Sequence, residues 1–367
     1  MLGLSLMILV SLQEGDHRVG APAGAVAHDF SRISGVRELA DGRLLVSDWI
    51  EETVSVVDVG RGVIRVVGRR GSGPSEYRLP GALLPLPGDS TLLVDQGNER
   101  LAVLGPDLRI ARSFSSHRPG MTHPISPRGI DQRGRLYFEI PAWADPGGTR
   151  DSVAVARWDP VTERVERLAQ VRGITYREGR IEGIPYVIFA PRDVWQVGPA
   201  GRLALVRSAG YVVEWREQDG AITRGSPVRR SALPVSARDR LAYVAQFMAT
   251  AVIAGRGEQG MTAMPASQKT PEALARLVAK QEFREVRPPF TDRAPLIAPD
   301  GSVWVERSVP SGAPPAWDRF DARGAHRGGI IFPAGRRLLA IGSRGIYAAA
   351  VDADGLERLE RYDVPLR

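Results

Sequence analysis

One short phrase returns six times along this chain: a turn rich in Gly or Asp, a compact apolar run, and usually a polar residue. The copies are Asp41-Gly42-Arg43-Leu44-Leu45-Val46, Gly88-Asp89-Ser90-Thr91-Leu92-Leu93-Val94, Arg133-Gly134-Arg135-Leu136-Tyr137-Phe138, Ala200-Gly201-Arg202-Leu203-Ala204-Leu205, Asp300-Gly301-Ser302-Val303-Trp304-Val305 and Ser343-Arg344-Gly345-Ile346-Tyr347-Ala348. A hairpin that recurs every roughly 40–50 residues is one blade of a radial β structure. From Leu44 the first apolar residues advance to Leu92, Leu136, Leu203, Val303 and Ile346, in steps of 48, 44, 67, 100 and 43 residues. Three steps fit one blade each. The step of 67 fits a blade with longer loops around 141–150 and 173–185.

The step of 100 does not read as strand. Ser236 and Asp239 form a capping pair. Leu241, Val244, Ala245, Met248, Ala251 and Val252 then recur at helical spacing, and Gly255 and Gly257 can end the helix. A second helix opens at Thr270-Pro271-Glu272, with Pro at the favoured first position and Leu274, Leu277 and Val278 on one face. The expectation is therefore an all-β fold, a six-bladed β-propeller over 19–367, with a helical insertion at about 231–289 between blades four and five. Strands are expected at 35–39, 44–48, 53–59 and 63–67 in the first blade, and at 82–86, 92–95, 100–104 and 110–114 in the second. The last blade supplies only three strands before the chain runs out. Its fourth is assigned to the segment near 25–30, which would pair an otherwise open edge.

Two stretches go beyond the blade phrase. Gly71-Ser72-Gly73-Pro74-Ser75-Glu76-Tyr77-Arg78-Leu79-Pro80 resembles the Gly-x-Gly…Phe/Tyr-x-x-Pro linker of NHL-type repeats, and Leu92-Leu93-Val94-Asp95-Gln96-Gly97-Asn98-Glu99-Arg100 resembles their Val-x-Asp-x-x-Asn-x-Arg segment. In the first blade Thr53 stands where the arginine would be. The chain thus resembles six-bladed propellers of the broad NHL/TolB-like class, in particular exported bacterial ones of unassigned role. Gly71 and Gly73 suit the crossing between blades, and Asn98, the only asparagine, suits a strand-to-strand turn.

Composition narrows the chemistry. There is no cysteine, which excludes disulfides, thiolate catalysis and Cys-ligated zinc. The net charge is +7, carried almost wholly by arginine, since the lysines are Lys269 and Lys280. The pairs Arg69-Arg70, Arg229-Arg230 and Arg336-Arg337 lie far apart with acids between them, so nucleic-acid binding is disfavoured. The apolar run 2–12 is too short to span a bilayer but long enough for a leader, which assigns 1–18 to a possible signal peptide and the mature chain to the periplasm or the medium. Ala21-Pro22-Ala23 and Ala25-Val26-Ala27 are compatible with processing. No transmembrane span is expected in the mature chain.

Catalytic motifs are absent: no Walker A loop, no His-Glu-x-x-His, no Gly-x-Ser-x-Gly. The residues that close each blade phrase are the candidates, because a propeller brings equivalent positions around one axis. Asp48, Asp95, Glu139, Arg207, Glu306 and Arg307 form that set, and Trp49 and Trp143 follow it in loops. They would line a ligand site at one mouth of the channel; the bland alternative is acids that tie neighbouring turns and arginines. His117 and His123 flank one loop. Trp304, inside an apolar strand, reads as core. The reading is a non-catalytic scaffold for an unknown protein or small polar ligand, with no cofactor. The alternative is a metal-dependent hydrolase or lyase of the lactonase kind, in which Asp48, Asp95, Glu139 and Glu306 would hold an ion such as calcium.

Overall fold

In a computed structural model of the chain, residues 15–145, 149, 151–175, 177, 184–250, 252–254, 261–263 and 270–363 are described. They form six antiparallel four-stranded sheets. Blade one is Ile33–Glu38, Leu44–Asp48, Thr53–Asp58 and Val63–Val66; blade two is Pro80–Pro85, Thr91–Asp95, Arg100–Leu104 and Ile110–Ser115. Blade three is Gly129–Ile130, Leu136–Ile140, Ser152–Trp158 and Val165–Arg172; blade four is Val194–Val197, Leu203–Arg207, Val212–Arg216 and Ile222–Arg224. Blade five is Leu296–Ile297, Val303–Glu306, Ala316–Phe320 and His326–Ile331; blade six starts with Arg336–Ile341, Ile346–Val351 and Glu357–Tyr362. The first strand of each blade touches the first strand of the next, and the sixth touches the first, so the ring is closed and the first strands line its axis.

The repeated phrase explains itself in this frame. Gly42, Gly134, Gly201 and Gly301 take φ of 90°, 76°, 77° and 80°, a turn that only glycine makes without strain. The apolar run that follows is a second strand sandwiched between two neighbouring blades. Leu44 and Val46 pack toward blade six while Leu45, between them, packs toward blade two. Burial on both faces is why the run is continuous and not alternating. The core consists of six separate clusters, one in each interface between adjacent blades.

The ring closes as the sequence suggests. Gly24–Ala25 pairs antiparallel with the strand Glu357–Tyr362 and becomes the fourth strand of blade six; Phe30 bridges to Glu357. Val26 and Phe30 are buried in the interface between blades six and one. Processing after Ala27 would strip this strand from its sheet. His17–Arg18 was not foreseen as a strand: it lies parallel to His326–Ile331 at the outer edge of blade five. The apolar run 2–12 lies outside the described residues.

Between blades four and five the insertion opens with α1 (Ala237–Thr250) and continues to α2 (Pro271–Ala279). Ser236 and Asp239 cap α1 reciprocally: the Asp239 N–H donates to Ser236 Oγ at 3.2 Å and the Ser236 N–H to Asp239 Oδ2 at 2.9 Å. Val244 and Met248 are buried as the helical spacing requires. The helix ends sooner than that spacing suggests, and Val252 opens a short hairpin, Val252–Ala254 with Met261–Ala263. Gly255 and Gly257 lie outside the described residues. A two-residue ladder, Leu233–Pro234 against Val286–Arg287, ties the neck of the insertion.

Candidate functional site

Second strands run in the same sense in every blade, so the residues that end them reach one face of the ring. Most of them are occupied where they stand. Asp48 is buried and accepts the N–H groups of Arg32, Ile50 and Glu51 at 2.9, 3.0 and 3.1 Å. Burial pushes its carboxyl above the usual carboxylate range, and those N–H groups pull the other way. Asp95 accepts the Arg78 N–H at 2.8 Å, Asn98 Nδ2 at 2.9 Å and Arg100 Nε at 2.7 Å. Asn98 also donates to the Gly71 carbonyl, and Arg100 to that of Gly73. The residues that carry the NHL-like resemblance therefore form one lock on the linker between blades one and two.

Glu306 accepts the Thr291 hydroxyl at 2.8 Å and stands 3.5 Å from Arg293. Arg207 is spent on Asp193, Glu214 and the Gln170 carbonyl. Arg307 turns outward: it grips Asp16 with two bonds of 2.8 and 2.9 Å and reaches the buried Asp318. Asp318 also takes Tyr211, Arg230 and His326, which makes it a knot between blades four and five. Trp49 is half-buried in the turn after Asp48, with its backbone N–H on the Arg32 carbonyl. Trp304 is core. Among the described residues no three His, Asp or Glu side chains converge as metal ligands.

Two of the predicted residues do meet. Glu139 and Trp143 line a cavity of about 660 Å³ between blades three and four, with Arg128, Arg172, Arg192, Asp193 and Asp292. Glu139 is held by Arg128 at 2.7 Å and by the Trp195 indole N–H at 2.8 Å. Trp143 stands at the lip, 69% exposed, with the His123 ring 4.9 Å away. Burial pushes His123 below its usual value, and His117 adds to this. Val153, Val171, Ile174 and Val194 supply an apolar floor. Arg192 pairs with Asp292 at 3.1 Å, while the exposed Arg172 side chain has no ion-pair partner among the described residues.

The insertion braces one wall of this cavity. Ile188 and Phe283 pair as a bridge, and Tyr186 and Tyr243 join their hydroxyls at 3.2 Å. Phe189, at φ 60°, packs its ring 5.2 Å from Tyr243 and under the Arg287 guanidinium at 4.4 Å. An arginine also stands at or near the start of every first strand: Arg32, Arg78, Arg128, Arg192, Arg293 and Arg337. Sequence reasoning searched only past the second strands and missed them. The signal was present, since five of the six lie one to three residues before their strand.

No family model matches the chain, and no curated protein matches it. Solved structures do, at the level of fold. A Bacteroides fragilis protein described as exported is 10% identical over 95% of this chain and 98% of its own, with a TM-score of 0.50. The calcium-binding protein regucalcin of Agrobacterium tumefaciens (13% identity, 96% and 97% coverage) gives 0.46. A gluconolactonase of Xanthomonas campestris (11% identity, 94% and 98% coverage) gives 0.44. The chain is a six-bladed propeller. Among the described residues no helix is long and apolar enough to cross a membrane.

Proposed function

We propose that this propeller is a non-catalytic binding scaffold whose ligand is a small polar molecule with an apolar part, seated in the cavity between blades three and four. The observation that carries this is the lining itself: an exposed indole, the exposed Arg172, which has no ion-pair partner among the described residues, and an apolar floor around one concave space. Tryptophan is enriched among the residues that carry binding energy. The hydrolase reading is weaker, because the oxygens that would ligate an ion are already engaged by backbone N–H groups, arginines, a hydroxyl or an indole.

The test is a thermal-shift screen of small organic acids, amino acids and sugars on the wild type. Hits are expected to bind at least about tenfold more weakly to Trp143→Ala and Arg172→Gln. Both side chains are exposed, so each variant should keep its stability within about 0.5 kcal/mol. Hits indifferent to both changes would defeat the cavity reading. A stoichiometric metal in the purified protein would move the choice to the hydrolase.

We also infer export, from the apolar run 2–12. Because Gly24–Ala25 belongs to blade six, and Asp16 and His17–Arg18 are bonded to blade five, processing is expected before Asp16. Intact mass of protein from the native host would show a trimmed N-terminus; an untrimmed Met1 would rule this out.

A further inference from the structure

The arginines at the starts of the first strands stand around one mouth of the channel, and three of them crowd together on the side of blades five, six and one. Arg32 and Arg337 share Glu357, at 3.0 and 2.5 Å. Arg293 donates to the Leu338 carbonyl of blade six at 3.0 Å and lies 3.5 Å from Glu306. Glu357 is wholly buried, and its two oxygens also take the Ile33 N–H and Arg337 Nε. Three guanidinium groups thus face Glu357 and Glu306, both already bonded, and the third carboxylate that acts on Arg293, Asp292, is paired with Arg192.

The positive charge left over is accessible. No nitrogen of Arg32, Arg293 or Arg337 is both buried and without a partner, and about a third of the Arg293 side chain (34%) meets water. Arg32 is exposed to 27% and Arg337 to 15%, so each of the three side chains reaches solvent in part. Burial pushes Arg293 below its ordinary value against the pull of Glu306, and the like charge of Arg337 adds to the push. Burial and Arg337 act the same way on Arg32. An added anion would relieve this crowding, and a guanidinium fork matches the paired oxygens of a carboxylate or phosphate.

We propose that this corner of the channel mouth binds the oxyanion group of a small molecule, with Arg293 as the principal donor and Arg32 and Arg337 flanking it. The proposal stands apart from the cavity reading: Asp292 lines the cavity and pairs with Arg192, while Arg293, the next residue, donates to Leu338 of blade six.

The experiment is calorimetric titration of the full chain with inorganic phosphate and, separately, with citrate, at low salt. Arg293→Gln is expected to weaken binding of at least one probe about ten- to a hundredfold, the range for a lost hydrogen bond to a charged group. Arg293→Lys, which keeps the charge without the fork, should recover part of that affinity. Trp143→Ala should leave phosphate binding within about twofold, because phosphate has no apolar body to stack. Loss of phosphate binding alone assigns a phosphate group, and loss of citrate binding alone a carboxylate. Binding that survives Arg293→Gln but falls in Arg172→Gln puts the anion in the cavity; this overturns the axial proposal and leaves the cavity reading intact. Failure of both probes to bind overturns it too, as does equal loss in the Gln and Lys variants with a lowered unfolding midpoint.

Discussion

Asp318→Asn is expected to lower the stability of the whole ring by about 3–5 kcal/mol, the cost of removing one partner from a buried charged group. Asp318 has no solvent exposure and accepts Tyr211 Oη at 2.6 Å, Arg307 Nη2 at 2.6 Å and Nε at 3.1 Å, His326 Nε2 at 3.2 Å, and Arg230. Tyr211 comes from blade four and Arg307 from blade five, so the carboxylate fastens the interface between them. An asparagine of the same size presents an NH2 group to arginine donors and leaves Asp16 as the one carboxylate that Arg307 meets among the described residues. Urea unfolding of the wild type and the variant at pH 7 measures the effect. A change under about 1 kcal/mol would mean that the knot contributes little beyond packing.

Acid should unfold the protein in a defined window. Burial disfavours the charged forms of Asp318 and Glu214, but the donors around them outweigh it and hold each carboxyl at about 2. For Glu214 these are Arg224, Arg207 and Arg216, at 2.6, 3.1 and 3.0 Å. Each folded pKa lies below its usual value, so each stabilises the fold at neutral pH. That contribution is lost as the pH falls from about 4.5 through 2. At about 1.4 kcal/mol per unit the two groups supply on the order of 5 kcal/mol. Asp48 works in the opposite direction, since its raised pKa means that its protonation favours the folded state, and it offsets part of the loss. Urea midpoints at pH 7, 4.5 and 2.5 should fall in that order, and Glu214→Gln should flatten the dependence. A midpoint unchanged between pH 4.5 and 2.5 would contradict the assignment.

The architecture was legible because it is repeated: each phrase encodes a local turn and a strand buried on both faces, and six copies leave few alternatives. Closure by the segment near Ala25 was legible from a missing strand, and α1 from its caps. The candidate site was legible only in part. Glu306 and Arg307 are adjacent, yet one turns to Thr291 and Arg293 and the other to Asp16 and Asp318, because successive strand residues point to opposite faces. A list of residues past each strand mixes these two directions. The partners of Asp318 lie as far as 107 residues away, and nothing local signals them. Phe189 was invisible for the same reason: its surroundings are built by the insertion, nearly a hundred residues later. The arginines of the first strands could have been found by reading each blade from its start.

The pairing of Gly24–Ala25 with Glu357–Tyr362 has a consequence for biosynthesis. Hydrogen bonds, not a covalent link, fasten the ring, and they join segments made far apart in time. During translation, or during passage across a membrane as an extended thread, five blades can form while the seam stays open. Throughout that interval Val26 and Phe30 have only the blade-one side of their cluster to cover them. The hazard of misassociation is therefore greatest just before the final strand emerges.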